Sequence, residues 1–248
     1  MVNDTRSQGL VVVGAADGIG KAAARRLVAD GHRVACVDRN EDGLESIVKE
    51  LGDGAGAFTL DVADEAQVGP TFSSIEEWLG QIHAVVNCAG VTGETGLVSH
   101  EVDPTDFDHV VAINLRGAFL VSQAAARRML PHNYGRILHL ASIAGKEGNA
   151  GMVSYSASKA GLIGMVKAQG KEYAECGITV NALAPAVIRT SMVEAMPPAQ
   201  VEYMTKRIPM RRTGTLEECA EMIAWIVSPA CSFTTGFTFD LSGGRATY

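Results

Sequence analysis

The sequence of 248 residues is poor in cysteine, and no two of its five cysteines form a Cys-x-x-Cys pair. They are Cys36, Cys88, Cys176, Cys219 and Cys231. This spacing excludes a dense disulfide framework and favours reduced thiols in a cytoplasm. The six histidines also lack His-Glu-x-x-His or any comparable metal-binding spacing, so we expect no metal site.

Long hydrophobic runs are missing as well. No apolar stretch reaches the roughly 18 residues of a membrane-spanning helix, and the N-terminal MVNDTRSQG lacks the apolar core of an export signal. We therefore expect neither membrane insertion nor export. Positive charge is in deficit, because 21 Lys and Arg oppose 28 Asp and Glu and leave a net charge of −7. That balance argues against nucleic acid as a partner.

Hydrophobic residues, in contrast, make up 47% of the chain, enough for a large core. Apolar runs rich in β-branched residues alternate with longer segments of helical periodicity. The runs predict strands at 10–15, 33–38, 56–61, 84–90, 135–142, 178–185 and 237–244. The periodic segments predict helices near 18–30, 41–51, 64–80, 103–131, 155–175 and 215–228. Because the strand runs are apolar throughout, each is expected to be buried on both faces of a parallel sheet.

This repeated β–α–β order predicts an α/β fold with a doubly wound, parallel sheet of Rossmann type, about seven strands, and helices on both faces. No linker rich in Pro, Gly or Ser divides 1–248, so we expect a single domain. The segment 189–212 breaks the alternation with prolines and methionines. It is predicted to be either a mobile lid or a packed helical excursion.

The turn after the first strand carries three glycines, Gly14, Gly18 and Gly20, in VVVGAADGIG. Glycines there permit a tight turn, let backbone approach a pyrophosphate and let the next helix pack closely on the sheet. The helix N-terminus adds free N–H groups that attract phosphate. A triphosphate-binding loop would need glycine at Ala15 and Ser or Thr at Ala22, so that alternative fails twice. The turn therefore favours a dinucleotide.

Asp38, at the end of the second predicted strand, indicates which dinucleotide. A carboxylate at this place accepts hydrogen bonds from an adenosine ribose and repels a 2′-phosphate, which favours NAD over NADP. The alternative is a carboxylate that merely stabilises the start of the next helix, since Asn40 and Glu41 follow.

The Gly14-x-x-x-Gly18-x-Gly20 spacing resembles the short-chain dehydrogenase/reductase family, and LDV, NCAG, INLRGAF, LASIAG, YSASK, PAVIRT and FDLSGG resemble further landmarks of that family in order. The resemblance spans about residues 9–244. It implies an NAD site formed by Gly14, Asp17, Gly18, Ile19, Gly20, Asp38, Asp61, Val62, Asn87, Ala89, Gly90, Tyr155, Lys159, Pro185, Ile188 and Thr190. Val13, Cys88 and Ala186 depart from the family pattern, each with a small or apolar side chain.

The same resemblance implies a homotetramer, assembled through helices corresponding to 103–131 and 155–175 and through the last helix and strand. The alternative is that the small residues of SASKAGLIGMVKAQG pack only on their own sheet.

The resemblance also implies four catalytic residues, Asn114, Ser142, Tyr155 and Lys159. Tyr155 would take the proton of an alcohol, and Lys159, one helical turn further on, would lower a phenol pKa that is normally about 10. Ser142 would hold the substrate oxygen, and Asn114 a water that links Lys159 to solvent. Taken singly, each has an ordinary alternative: a core tyrosine, a helix-capping serine, a helix kink at asparagine.

The substrate class depends on shorter motifs. SIAGKEGN and DLSGGRATY resemble sugar-acid dehydrogenases that oxidise 2-keto-3-deoxy-L-sugar acids such as the fuconate and rhamnonate. A substrate carboxylate needs cations or several donors. We expect Lys146, Asn149, Arg189 and Arg245 to supply them beside Ser142 and Tyr155.

Two other functions stay open. The resemblance includes 3-oxoacyl-carrier-protein reductases, which usually prefer NADPH and carry arginine where this sequence has Asn133 and Cys176. A protein of a different class, a non-catalytic NAD-binding sensor, is also compatible with the fold.

Overall fold

The computed structural model describes residues 7–190, 193, 202 and 204–248. Seven parallel strands form one sheet in the order β3-β2-β1-β4-β5-β6-β7. They are β1 (Gly9–Val13), β2 (Arg33–Asp38), β3 (Ala55–Thr59), β4 (Ala84–Asn87), β5 (Gly135–Leu140), β6 (Ile178–Pro185) and β7 (Thr238–Leu241). The strand order changes direction between β1 and β4, which creates a crevice where such sheets bind ligands. The predicted doubly wound fold is confirmed.

Eight α-helices have both ends within the described part of the chain. They are α1 (Gly18–Ala29), α2 (Glu41–Leu51), α3 (Glu65–Leu79), α4 (Pro104–Val111), α5 (Ala118–Met129), α6 (Ile143–Glu147), α7 (Val153–Glu172) and α8 (Leu216–Ile226). A π-helical segment, Ala112–Gly117, joins α4 to α5, and 3₁₀ turns occupy Gly52–Gly54, Leu130–His132 and Ala174–Cys176.

The strands form because their side chains are apolar on both sides. Every residue of β1, β4, β5 and β6 is buried. Val11 and Val13 point into a core shared with α3, α5 and α7, whereas Leu10 and Val12 point into a second core shared with α1, α2 and α8. Helices on both faces thus bury the sheet and leave its strand ends for binding.

Two expectations about helices need correction. The helix expected at 103–131 is interrupted by the π-helical segment, and the short helix α6 was not expected. The π segment has only six residues and lies inside a longer helical stretch, so the hydrophobic pattern of the sequence does not reveal it. Helix α6 has five residues, too few to show a period.

The predicted lid at 189–212 lies partly outside the described residues, because 191–192, 194–201 and 203 are not among them. At its base, the Arg189 N–H donates to the Gly214 carbonyl at 2.8 Å. The lid stays a prediction. Within the described ranges, no helix has the length and apolarity needed to cross a membrane. The same residues contain no cluster of His, Cys, Asp and Glu able to hold a metal ion.

Candidate active site

A cleft of about 550 Å³ opens at the carboxyl ends of the strands, across the switch from β1 to β4. The glycine turn, the ends of β2 and β3, and the segments after β4, β5 and β6 form its walls. Parallel strands bring these segments together although they are distant in sequence.

All predicted cofactor residues except Asn87 line this cleft. They are Gly14, Asp17, Gly18, Ile19, Gly20, Asp38, Asp61, Val62, Ala89, Gly90, Tyr155, Lys159, Pro185, Ile188 and Thr190. Asn87 is buried behind the wall, where its Oδ1 accepts the Ala89 N–H at 3.2 Å. It supports the wall rather than forming it.

The glycine turn fits a phosphate-bearing ligand. A Cβ on Gly20 would lie 1.9 Å from the Gly14 carbonyl oxygen, so only glycine lets α1 start this close to the turn. Gly18 has φ of +56°, and a Cβ there would meet nothing within 4 Å, so its backbone borders open space. The start of α1 therefore faces the cleft with the free amides that phosphates bind.

The Asp38 carboxylate is fixed at the cleft wall. Its Oδ2 accepts the Ala16 N–H at 3.1 Å and its Oδ1 accepts the Asn40 N–H at 3.0 Å. Asn40, and not Asp38, caps α2, by accepting the Gly43 N–H at 3.1 Å. Because a carboxylate offers about four acceptor positions, Asp38 retains capacity for hydroxyl donors of a ligand.

Tyr155 and Ser142 meet in the cleft. Tyr155 is half-buried near the start of α7, and burial raises the pKa of its phenol. A hydrogen bond with the Ser142 hydroxyl acts in the opposite direction and lowers that pKa. The Ser142 Oγ also accepts the Ala144 N–H at 3.1 Å and so caps α6. The capping alternative is thus present together with the contact to Tyr155.

Lys159 lies beneath Tyr155 and is 3% exposed. Its Nζ is 5.6 Å from the centre of the Tyr155 ring and donates to the Leu140 carbonyl at 2.6 Å. Burial lowers the pKa of Lys159 to about 8, so the ammonium still predominates at neutral pH.

Asn114 sits in the π-helical segment, buried outside the cleft wall. Its Oδ1 accepts the Val91 N–H at 2.8 Å, and its Nδ2 donates to the Val91 carbonyl at 2.8 Å and to Ser158 Oγ at 3.0 Å. A Cβ on Gly90 would lie 3.1 Å from Asn114 Oδ1 and 3.3 Å from Lys159 Nζ, so Asn114 and Lys159 flank the same glycine. The water relay through Asn114 stays a prediction.

The predicted substrate residues divide into two groups. Ser142 and Tyr155 line the cleft, whereas Lys146, Asn149, Arg189 and Arg245 are absent from the described part of its wall. Lys146 pairs with Asp240 at 3.1 Å. Arg245 pairs with Glu147 at 2.9 Å and also donates to Asn149 Oδ1 at 3.0 Å. Both cations thus have partners within the chain, and the predicted contact with a substrate carboxylate stays a prediction.

Sequence reasoning missed several residues of the cleft. They are Ala16, Arg39, Asn40, Leu60, Val91, Thr92, Ile113, Leu140 and Ala141. Each lies within two positions of a predicted residue, so extending every predicted motif by two residues would have found them. The three departures from the family pattern, Val13, Cys88 and Ala186, also line the cleft, and burial raises the pKa of the Cys88 thiol.

His139 supports the cleft from within the sheet. Its Nδ1 is 3.3 Å from Asn87 Nδ2 and its Nε2 is 2.7 Å from Ser122 Oγ. Since the Asn87 oxygen accepts from Ala89, its Nδ2 donates to Nδ1, and the imidazole proton resides on Nε2. Burial lowers the pKa of His139 to about 3, which keeps the ring neutral.

Comparison with known proteins gives close matches over nearly the whole chain. A family model described as enoyl-(acyl carrier protein) reductase matches residues 14–246. The 2-dehydro-3-deoxy-L-rhamnonate dehydrogenase (NAD(+)) of Sphingomonas sp. (strain SKA58) is 43% identical over 238 residues, which cover 96% of this chain and 95% of that protein.

Two further relatives define the range of enzymes that this chain resembles. The 3-oxoacyl-[acyl-carrier-protein] reductase of Thermotoga maritima is 37% identical over 237 residues, 94% of this chain and 96% of that protein. A crystal structure of NAD⁺-bound xylitol dehydrogenase superposes with a TM-score of 0.93 at 30% identity, covering 98% of this chain and 100% of the other.

Proposed function

Because the chain belongs to the short-chain dehydrogenase/reductase family, we propose that it transfers a hydride between NAD and the CH–OH carbon of a small secondary alcohol. The observation that carries this proposal is the meeting of Ser142, Tyr155 and Lys159 in a cleft at the switch point of the sheet. This arrangement provides a proton acceptor, a donor that orients the substrate oxygen, and a buried cation.

In oxidation, the O–H bond of the substrate breaks and its proton passes to the Tyr155 phenolate. The carbon loses a hydride with two electrons, and a C=O bond forms. Ser142 donates to the substrate oxygen and holds it beside Tyr155. The Lys159 ammonium would favour the phenolate as a nearby positive charge, and the hydrogen bond with Ser142 opposes the rise in the Tyr155 pKa caused by burial. When bound, NAD supplies the hydride acceptor, and in reduction the same steps run in reverse.

NAD is supported as the cofactor by two kinds of observation. The Sphingomonas relative is named as an NAD(+) enzyme, and the xylitol dehydrogenase was crystallised with NAD⁺. In this chain, the Gly14–Gly20 turn would hold the pyrophosphate and Asp38 the adenosine ribose. The fixed carboxylate of Asp38 is the residue expected to disfavour a 2′-phosphate.

The proposed substrate is a 2-keto-3-deoxy sugar acid. Support comes from the 43% identity to the rhamnonate enzyme over almost the full length of both chains. A 3-oxoacyl thioester is the second candidate, supported by 37% identity to the Thermotoga reductase. Against it, Asn133 and Cys176 occupy the positions where arginine is expected in the acyl reductases.

The first prediction concerns Tyr155→Phe. Loss of the hydroxyl removes the proton carrier but keeps the ring, so turnover should fall about 10²- to 10⁴-fold while NAD binding is nearly unchanged. The absorbance of the reduced nicotinamide measures turnover with sugar acids, neutral polyols and 3-oxoacyl thioesters. Isothermal titration calorimetry measures NAD binding.

Tyr173→Phe is the matched control, because Tyr173 is half-buried at the end of α7 and absent from the described cleft wall. A Tyr155→Phe enzyme that kept about a tenth of its rate would require another base. Faster turnover of acyl thioesters would favour the reductase. NAD binding without turnover of any substrate would favour the sensor.

A further inference from the structure

The last seven residues, Ser242–Tyr248, which we call the C-terminal tail, pack against the short helix α6. The Arg245 Nε donates to Glu147 Oε2 at 2.9 Å, and its Nη2 donates to Asn149 Oδ1 at 3.0 Å. The Tyr248 hydroxyl donates to the Lys146 carbonyl at 2.7 Å. The tail thereby holds the C-terminal end of α6 and the loop that follows it.

A second ion pair joins α6 to β7, just before the tail begins. Lys146 Nζ is 3.1 Å from Asp240 Oδ2, and Asp240 Oδ1 accepts the Ser242 N–H at 3.0 Å. The side chains of Lys146 and Arg245 are only 6% and 9% exposed. Cations buried to this extent are screened little by solvent, so their pairing fixes geometry more firmly than a surface ion pair does.

Helix α6 needs such support because it has only five residues. A helix of that length is unstable by itself, since nucleation costs more than its few hydrogen bonds return. Its N-cap is Ser142, the residue that hydrogen-bonds Tyr155. On its inner side, a Cβ on Gly145 would lie 2.7 Å from the Lys159 carbonyl carbon, so α6 is wedged against α7. A shift of α6 therefore moves Ser142.

The opposite side of the tail contacts Ile208–Met210, near the end of the 189–212 segment that leads to α8. The Met210 N–H donates to the Gly243 carbonyl at 3.2 Å, and a Cβ on Gly243 would lie 2.7 Å from Ile208 Cγ2. Ile208 is buried. The tail is thus enclosed between this segment and α6.

We propose that the C-terminal tail is a brace that positions Ser142 towards Tyr155, with the Arg245–Glu147 pair as its main tie to α6. The proposal rests on the proposed function, because it assigns the brace to the same hydride-transfer site. Arg245 and Glu147 are positioning residues that act through α6 and touch neither substrate nor cofactor. This assignment gives Arg245 a different role from the substrate contact expected from sequence.

The test is a double-mutant cycle of Arg245→Met, Glu147→Gln and both together, with Arg245→Lys as the conservative variant. Glu50→Gln is the matched control, because it removes the charge of Glu50 from an ion pair with Arg25 that lies on the exposed surface of α1 and α2. Four quantities are measured in the whole chain: kcat and KM with a sugar acid, the Kd of NAD, and hydrogen exchange of residues 143–147. Thermal unfolding verifies that each variant is folded.

We expect Arg245→Met to lower kcat about tenfold, since a misplaced orienting group reduces rate more than binding. NAD affinity should stay within about twofold, because the cofactor wall lies apart from the tail. Exchange in 143–147 should become faster. The double variant should be no slower than Arg245→Met, because both changes break one interaction, and Arg245→Lys should recover part of kcat.

Two results would overturn the brace. Unchanged kcat despite faster exchange would show that the order of α6 does not limit turnover. A raised KM for the acid, with kcat and exchange unchanged, would assign Arg245 to the substrate. A wild-type protein that oxidises none of the tested alcohols would instead overturn the proposed function. In that case hydrogen exchange still tests the brace, because unchanged exchange of residues 143–147 in Arg245→Met would exclude it.

Discussion

His139 shows how one residue in the middle of the sheet acts on the cleft without touching it. It links Ser122 of α5 to Asn87 of β4, and Asn87 holds the Ala89 amide at the cleft wall. In this network Asn87 can only donate to Nδ1, so a second proton on the ring would leave two donors facing each other. The hydrogen bonds of the folded protein therefore require His139 to be neutral.

This predicts how stability depends on pH. The pKa of His139 is about 3 in the folded protein and about 6.5 in an unfolded chain. Below pH 6.5 the histidine is protonated in the unfolded state but stays neutral in the folded state. The free energy of unfolding therefore falls by up to about 1.4 kcal/mol for each unit by which the pH is lowered. Between pH 7.5 and 5, His139→Gln should lose about 2 kcal/mol less than the wild type in urea unfolding.

His100→Gln is the control, because His100 is an exposed histidine outside the described cleft wall. It should retain the pH dependence of the wild type. Equal slopes for His139→Gln and the wild type would contradict a neutral His139.

Asp38 carries the prediction about cofactor choice. Because its carboxylate is held at the wall by Ala16 and Asn40, it cannot easily turn away from a 2′-phosphate. We expect kcat/KM for NAD to exceed that for NADP by more than roughly tenfold, and Asp38→Ala to reduce this ratio. Asp42→Ala, on the first turn of α2, is the control. Equal efficiency of both cofactors in the wild type would remove Asp38 from this role.

At the level of secondary structure, α6 and the π-helical segment place the polar groups of the site. Helix α6 carries Ser142 as its cap, and the π segment turns Asn114 towards Val91 and Ser158. π segments interrupt helices frequently at functional sites, because the extra residue redirects one side chain. Both elements touch α7, which carries Tyr155 and Lys159.

The contact between α6 and α7 predicts the effect of Gly145→Ala. The added Cβ would meet the backbone of Lys159 at 2.7 Å, and backbone cannot move aside as a flexible side chain can. Overpacking of this kind costs about 1–3 kcal/mol, and we expect kcat to fall at least about tenfold as Ser142 is displaced. Steady-state kinetics and thermal unfolding measure the two effects.

Gly69→Ala on α3 is the matched control, because a Cβ there meets nothing within 4 Å. It should be neutral or stabilise the helix by up to about 1 kcal/mol. If Gly145→Ala behaves like Gly69→Ala in both measurements, the close contact between Gly145 and the Lys159 backbone is not needed for stability or turnover.

For the whole molecule, the exposed aromatic residues indicate where subunits would meet. Trp225 of α8 and Phe237 beside β7 are 48% and 53% exposed, and both contact the ring of Phe239. β7 is the last strand of the sheet and has a neighbour on one side only. This edge belongs to the last helix and strand through which the tetramer is predicted to form.

Multi-angle light scattering at micromolar concentration should therefore give about four times the 26.1 kDa mass of one chain. Trp225→Arg should reduce the mass of the assembly, because a charge would be buried without a partner. Val98→Arg is the control, since Val98 is equally exposed but lies in the loop before α4. A monomeric wild type would contradict the predicted tetramer.

The sequence by itself determined the sheet, the glycine turn and the strand ends that meet at the cleft. β2 and β6 have the predicted limits, 33–38 and 178–185, because continuous apolar runs between turns specify buried strands locally. Once the strands are parallel, their carboxyl ends must share one edge. Residues such as Asp38 and Tyr155 therefore reach one cleft without further information.

Only the tertiary structure decided the partners of the charged and polar residues near the site. Lys146 and Asp240 are 94 positions apart, and Glu147 and Arg245 are 98 apart. Local pattern cannot show that α6 and the tail become neighbours, so both cations looked available for a substrate. His139 likewise gained its role from Asn87 and Ser122, on a neighbouring strand and a covering helix. Pairing of buried charges depends on which segments meet, and that is settled only when the sheet and its helices pack.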